Sequence, residues 1–256
     1  MILKNTYSNT NAGLKVRTQK KKFSYALGLS WQRASLDGKV LSGIKDTVIG
    51  KSFTNLLPNA NFVYSFTRYK RFTMNYMANT NQPTVSQLQP IPDISNPLAI
   101  REGNPDLDQE VTHRVQLNYS GINPFRNRNL FVFLNLMRTD NKIVNSDSLF
   151  SNGVRKTRPV NTDGVYNLTG DINLGLPARF LKGTFEVGTN LSYMQGRQFM
   201  NGDANNIKNY SIGPRVRAEM NPTEKLNISL SLGGNINFAR YSLQPDFNTR
   251  FFLAGL

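Results

Sequence analysis

From Leu226 to Phe238 the chain reads LNISLSLGGNINF, and it alternates. Leu226, Ile228, Leu230, Leu232, Ile236 and Phe238 share one parity; Asn227, Ser229, Ser231, Asn235 and Asn237 share the other. Successive side chains of a strand point to opposite faces, so this segment is a strand with one oily and one wet face. The same pattern starts near Ala12, Phe23, Ala60, Phe72, His113, Leu130, Tyr166, Phe185 and Tyr210. Ten two-faced strands result, the one at Leu130 blurred by Phe131 and Phe133. No segment holds a helical period over three turns.

The connections between these strands sort by length. Residues 20–22, 67–71, 121–129, 177–182 and 221–224 are short; 34–58, 80–110, 139–162 and 195–208 are long. Short and long alternate, so they fall at opposite ends of one sheet. Short periplasmic turns and long extracellular loops mark an outer-membrane barrel. A soluble β-sandwich has no physical reason to sort its connections in this way. Asp37-Gly38, Asn152-Gly153 and Asn201-Gly202 read as turns inside long loops. The proline-rich run from Gln82 to Pro97 reads as a loop outside the strand ladder.

The choice between lipid and a protein core turns on what the oily parity carries. Tyr25, Trp31, Tyr64, Tyr76, Tyr119, Tyr166, Tyr193 and Tyr210 lie on it near strand ends, as ring systems with one polar edge do at a membrane interface. Arg33 and Arg240 share that parity only near outer ends, where a lipid-facing charge costs little. Mean hydropathy is -0.42, which suits a barrel whose other face is wet. No run reaches the ~18 apolar residues of a membrane helix, and the first ten residues hold no signal-peptide core. The fold expected is all-β: an antiparallel transmembrane barrel segment of ten strands, with Thr249 to Leu256 starting an eleventh that is cut short. The first strand would run inward from outside and the tenth would end outside. Residues 1–256 then read as one partial barrel domain, an internal piece of a larger barrel.

The polar parity would line the lumen. It carries Lys15, Arg17, Asp171, Glu186, Arg215, Arg217 and Glu219. Before the strand at His113 stands PLAIREGNPDLDQE, Pro97 to Glu110. Gly103-Asn104-Pro105 is a turn: glycine accepts unusual dihedrals and proline fixes φ. Glu110 sits at the strand entrance, near Arg114 and Arg101. Two roles stand open for the phrase, orienting a strand top or touching a ligand in the outer vestibule. Gln82, Gln87, Asn96 and Asn104 have the chemistry to hydrogen-bond a glycan, and are equally at home in a solvated loop.

This segment resembles TonB-dependent outer-membrane receptors, closest to the outer-membrane-barrel and glycan-importing (SusC-like) receptors of Bacteroidota. In that family a Gly-Asn-Pro-x-Leu-x-x-Glu phrase precedes a strand in the C-terminal half of the barrel; here it is Gly103, Asn104, Pro105, Leu107 and Glu110. The resemblance implies a 22-stranded barrel with an N-terminal plug, energised through TonB, that imports a siderophore, a glycan or a similar nutrient. It implies as partners the rest of the barrel, the plug, TonB through an N-terminal region missing here, and a surface lipoprotein. This chain shows neither plug nor TonB-contacting box, nor an aromatic last residue, so alone it would not transport. The competing functions are a passive porin-like or structural barrel and a soluble β-sandwich binding module.

Catalysis finds little support. Cysteine is absent and His113 is the single histidine, so no thiolate site or histidine-rich metal set exists and no cofactor is implied. His113 falls on the oily parity as a rim residue. Net charge is +15 and the pI about 10.1. A nucleic-acid reader would gather its cations and aromatics on one face; here they lie on opposite faces or separate ends. Lys20, Lys21 and Lys22, then Arg68, Lys70 and Arg71, then Arg126 and Arg128, sit in short turns, with Lys182 and Lys225 beside two others. On a periplasmic rim these cations meet anionic headgroups or periplasmic partners. Arg155, Lys156 and Arg158 lie in an outer loop, within reach of lipopolysaccharide phosphate.

Overall fold

The computed structural model describes residues 2–41, 47–179, 182–223 and 225–255. Parts of four sequence expectations therefore lie outside the described residues: 42–46 in the connection 34–58, 180–181 and Glu224 in two short turns, and the terminal Leu256. The elements are β1 (Ile2–Gln19), β2 (Phe23–Leu41), β3 (Thr47–Thr67), β4 (Lys70–Asn81), α1 (Val85–Leu88), β5 (Ala99–Arg101), β6 (Glu110–Asn123), β7 (Arg128–Asp140), β8 (Lys142–Leu149), β9 (Arg155–Thr162), β10 (Val165–Ala178), β11 (Gly183–Met200), β12 (Asp203–Thr223), β13 (Leu226–Tyr241) and β14 (Phe247–Gly255).

Eleven strands form an antiparallel wall in the order β1-β2-β3-β4-β6-β7-β10-β11-β12-β13-β14. They are the ten expected strands and the eleventh. Neighbours in the wall are almost always neighbours in the chain, because each hairpin lets the next strand bond at once. β1 and β14 are the two edges, and among the described residues they do not pair with each other. The fold is a large antiparallel sheet, a partial barrel.

Register carries one apolar face across the wall. Leu14 opposes Leu29, and Leu29 opposes Pro58. Leu117 opposes Leu134, and Leu134 opposes Gly170. Val187, Val216 and Leu232 follow in one row. A shift of one residue anywhere would put oily side chains on the wet face. Leu14 is 86% exposed and Leu230 38%. All the strands belong to one sheet, so among the described residues no second sheet covers this face. That removes the sandwich reading. From Tyr210 to Met220, β12 rises roughly 33 Å at ~3.3 Å per residue. At a tilt of ~45° this spans ~23 Å, close to the ~25 Å apolar band of such barrels. Aromatic rows bound the band. Phe23, Tyr64, Phe72 and Tyr119 stand opposite one another next to the short turns. Leu168, Tyr193, Tyr210 and Phe238 form a row towards the other end, the two tyrosine rings 5.0 Å apart.

The long connections differ from expectation. Asp37 and Gly38 are not a turn; they lie within β2, opposite Thr6 and Asn5. β11 and β12 continue pairing out to Met200 and Asp203, so 195–208 is a long hairpin. Its tip is the Asn201-Gly202 turn, with φ of 53° and 91°. Within residues 139–162, β7 ends at Asp140 and the β8–β9 hairpin follows, turning at Gly153 with φ 80°. The run from Gln82 to Pro97 lies outside the strand ladder, as expected, but is not without structure. It forms α1, and Asp93 bridges Arg101 of β5, which pairs with β9. The reason is common to the three connections that pair: strands satisfy backbone groups beyond the lipid wherever a partner strand continues beside them.

Candidate functional site

The outer segments fold back onto the inward face of the wall. Thr84 caps α1: its hydroxyl accepts from the Gln87 amide, and the Gln87 side chain accepts from the Thr84 amide at 2.9 Å. This capping box satisfies two otherwise orphaned donors. It presents Val85 and Leu88 to Leu36 and Leu107, with Ile143 packed against them. Leu88 and Leu107 are fully buried. Tyr7 and Gln32, on the inward parity of β1 and β2, hydrogen-bond Gln82 and Thr80. Gln109 donates to Asn55 at 2.6 Å.

The Gly-Asn-Pro phrase is the joint of this assembly. The expected turn forms at Asn104 to Leu107, where the Leu107 amide donates to Asn104 O at 3.3 Å, but Gly103 does not take the positive φ expected of it. Its service is steric. A Cβ there would lie 2.4 Å from the Gln89 carbonyl oxygen and 2.7 Å from the Gln89 nitrogen. Bare Cα lets the Gly103 amide donate to Gln89 O at 3.0 Å and the Asn104 amide to Gln87 O at 2.5 Å. The Asn104 side chain then joins three segments. Its Nδ2 donates to Pro159 O at 3.0 Å, and its Oδ1 accepts from Arg158 at 3.0 Å and from the Asp106 amide at 3.1 Å. Lys51 of β3 reaches Pro105 O at 3.2 Å and also the Leu107 carbonyl.

Glu110 is 5% exposed. Its partners are neither Arg114 nor Arg101. It accepts from the Ile143 amide at 2.9 Å and from Asn81 at 3.2 Å, and pairs with Lys142 at 2.9 Å. The expected arginines fail for geometric reasons: Arg114 reaches towards Met137 on β7, and Arg101 belongs to β5. Arg155, Lys156 and Arg158 are likewise committed inside the loops. They bind Asp147, Glu102 and Asn104 respectively. Burial works to raise the Asp147 carboxyl, but hydrogen bonds from Arg155 and Thr157, both 2.6 Å, outweigh it and hold its pKa below the ordinary value.

Between α1, β5 and the β8–β9 hairpin lies a cavity of about 1000 Å³. Its wall mixes the ionic and polar groups Asp93, Arg101, Arg155, Asn145 and Thr157 with Ile91 and Ile94. Asp93 is held below its usual pKa by the Ser95 hydroxyl at 2.6 Å and the Ser95 amide at 3.0 Å. Of the four amides suited to a glycan, each already has an internal partner. Gln82 binds Tyr7, Gln87 caps α1, Asn96 accepts from the Leu98 amide, and Asn104 bonds as above. Sequence reasoning missed Asp93, Asn145 and Lys51, and put Arg101 beside Glu110 and not at the cavity. Thr84-x-x-Gln87 was the one local signal available for α1.

On the inward wall the expected lumenal residues share one face but not one place. Arg215 lies across Gly188 and pairs with Asp171 at 2.8 Å. Arg217 pairs with Glu219 and stands opposite Glu186. Lys15 and Arg17 lie far along the sheet on β1, opposite Gly28 and Ala26. His113 is a rim residue of the outward face, stacked on Tyr76 with its Nδ1 2.9 Å from the tyrosine hydroxyl. Among the described residues, no three His, Cys, Asp or Glu side chains are placed to hold a metal ion.

The outer membrane protein beta-barrel family matches residues 7–255. The chain belongs to this family. It is an outer-membrane protein, and the family identity accords with a non-enzymatic role. No curated protein matches. Among solved structures, the siderophore receptor PirA from Pseudomonas aeruginosa is 11% identical, with a TM-score of 0.46 over 99% of this chain and 57% of its own length. The siderophore receptor PirA from Acinetobacter baumannii is 13% identical, with a TM-score of 0.40 over 98% of this chain and 50% of its own. The chain thus spans about half the length of either receptor.

Proposed function

We propose that this chain forms part of the wall and outer vestibule of a TonB-dependent importer. The complete barrel would have about 22 strands and enclose a plug that contacts TonB. Its cargo is a siderophore, a glycan or a similar nutrient, delivered in the SusC-like case with a surface lipoprotein. The observation that supports this reading is the folded outer assembly, which holds a cavity of about 1000 Å³ between α1, β5 and the β8–β9 hairpin. A site of that size, with a few convergent polar groups among apolar ones, suits a captured small molecule. In this reading Gly103, Asn104, Pro105, Leu107 and Glu110 hold the vestibule in shape, and Arg101 and Asn145 face the cargo. Lys15, Arg17, Asp171, Glu186, Arg215, Arg217 and Glu219 line the lumen against the plug.

Energy coupling separates this proposal from a passive barrel. Uptake of a cargo identified by growth of the producing strain is measured with and without a protonophore. An importer stops when the proton gradient collapses. Undiminished uptake, with steady ion conductance of the purified protein in a planar bilayer, establishes the passive alternative.

A further inference from the structure

The cations of this chain stand at both ends of the wall, but its acids are sorted by depth, so the short-turn end is the one where cations are not matched by acids. Each of its five short turns carries exposed cations: Lys21, Arg68, Arg126, Lys182 and Lys225 mark them in order. The sequence of these turns contains a single acid, Glu224. Acids gather at the opposite end, where Asp93, Asp106, Asp108, Asp147, Asp203 and Asp246 all belong to outer segments. We infer that the short-turn rim binds the phosphates of anionic phospholipid headgroups in the periplasmic leaflet, as a distributed collar.

Three observations select lipid over a protein partner. The first is depth. The turn between β3 and β4 is only Arg68 and Tyr69, and the turn between β1 and β2 is Lys20 to Lys22. Turns this short keep their cations in the headgroup layer, just below the row Phe23, Tyr64, Phe72 and Tyr119. The second is attachment. Lys20 Nζ lies 5.4 Å from the Phe23 ring centre, and the Arg68 guanidinium 4.8 Å from that of Tyr69. A cation held over an interfacial ring stays at ring depth. The third is spread. The ten strands from β1 to β13, at ~4.8 Å spacing, distribute the cations over roughly 43 Å of arc. One docked protein would touch a fraction of that arc, whereas lipid meets all of it. Basic segments at a membrane surface attract anionic lipid, and the attraction is screened by salt.

The test uses the protein purified from outer membranes and placed in nanodiscs of three parts phosphatidylcholine to one part phosphatidylglycerol. Native mass spectrometry of the released protein counts the lipids it retains. Retained phosphatidylglycerol should exceed its share of the bilayer about threefold or more at low salt, and the excess should collapse in 0.5 M salt. Replacing Lys20, Lys21, Lys22, Arg126 and Arg128 together by Ser should at least halve the excess. Replacing the three lysines by Arg should keep it. Heat-modifiable mobility on a cold gel shows whether each variant is folded; the salt dependence of the unaltered protein decides the question if a variant is not. Retention of the two lipids in bilayer proportion overturns the inference, as does an excess that survives both salt and the serine substitutions. The inference rests on membership of the outer-membrane family and on the short-turn geometry, and stands or falls independently of whether the barrel imports anything.

Discussion

Replacing Gly103 by Ala should unlatch the outer assembly. The new Cβ would meet Gln89 O at 2.4 Å, Gln89 N at 2.7 Å and Gln87 O at 2.8 Å, all backbone atoms. No rotamer change relieves such contacts, so the segments must separate. Overpacking of this kind costs about 1–3 kcal/mol. The separation also weakens the hydrogen bonds from the Gly103 and Asn104 amides, each worth a net ~0.5–1.5 kcal/mol. Local opening should become easier by about 2 kcal/mol, since part of the strain is relieved as those bonds lengthen. Amide hydrogen exchange of Gly103, Asn104 and Leu107 should then quicken about 30-fold, by the factor of ten per 1.4 kcal/mol. Exchange in β10 to β13, which do not contact the joint, should stay as it was. Unchanged exchange at Asn104 and Leu107 in a folded G103A protein would refute the steric account of this glycine.

Glu110→Ala removes the acceptor of the Ile143 amide and the partner of Lys142. It should raise exchange at Ile143 by an amount equivalent to about 1–3 kcal/mol, while Glu110→Gln, which keeps an acceptor, should recover part of the loss. Leu134 and Asn135 are adjacent mid-wall residues on opposite faces. Leu134→Arg should destabilise the barrel in urea titration by ~2–4 kcal/mol more than Asn135→Arg; equal losses would mean that the oily face does not touch lipid. The Asp147–Arg155 pair sets a pH limit. The Asp147 pKa is lowered in the folded state, so its stabilisation is fully present above the ordinary value of 3.8 and is lost as pH falls below it. Protease resistance of the β8–β9 hairpin should therefore stay flat from pH 7 to 5 and decline only below pH 3.8, with Asp147→Asn flattening the decline.

The wall was legible because its physics is local. A residue such as Leu230 needs only its parity to declare its face, and Ser229 and Ser231 beside it declare the other. Register then follows, since neither face tolerates a slip. Even Phe131 and Phe133, which blur the pattern, lie on the inward parity opposite Asn173 and Asp171, and the strand around them pairs as the rest do. The charged set of the polar parity was legible to the same degree, as membership of a face. Which of its charges meet was not. Arg215 reaches Asp171 across an intervening strand because Gly188 leaves the path open, and no spacing within either strand announces that.

The vestibule was illegible for the opposite reason. Its partners lie more than fifty residues apart: Lys51 with Leu107, Asn104 with Pro159, Asp108 with Asn161. Its elements are also too short to show a period. α1 has four residues and β5 three, so their order comes from contacts and not from propensity. The amides that invited a ligand reading illustrate the consequence. Gln82, Gln87, Asn96 and Asn104 have the composition of a sugar site, yet each is consumed by a turn, a cap or a joint. Of the polar residues that the joint leaves facing the cavity, Asp93, Arg155 and Thr157 are likewise held by Ser95 and Asp147, which leaves Arg101 and Asn145 to meet a cargo. If that is where recognition happens, changing Gly103 should weaken capture without any contact to the cargo, while changing Asn145 to Ala should weaken capture and leave the exchange of Asn104 untouched. Uptake affinity measured beside exchange in the two variants distinguishes the frame from the surface it presents; a protein in which Asn145→Ala and G103A both leave affinity intact has its binding site elsewhere in the barrel.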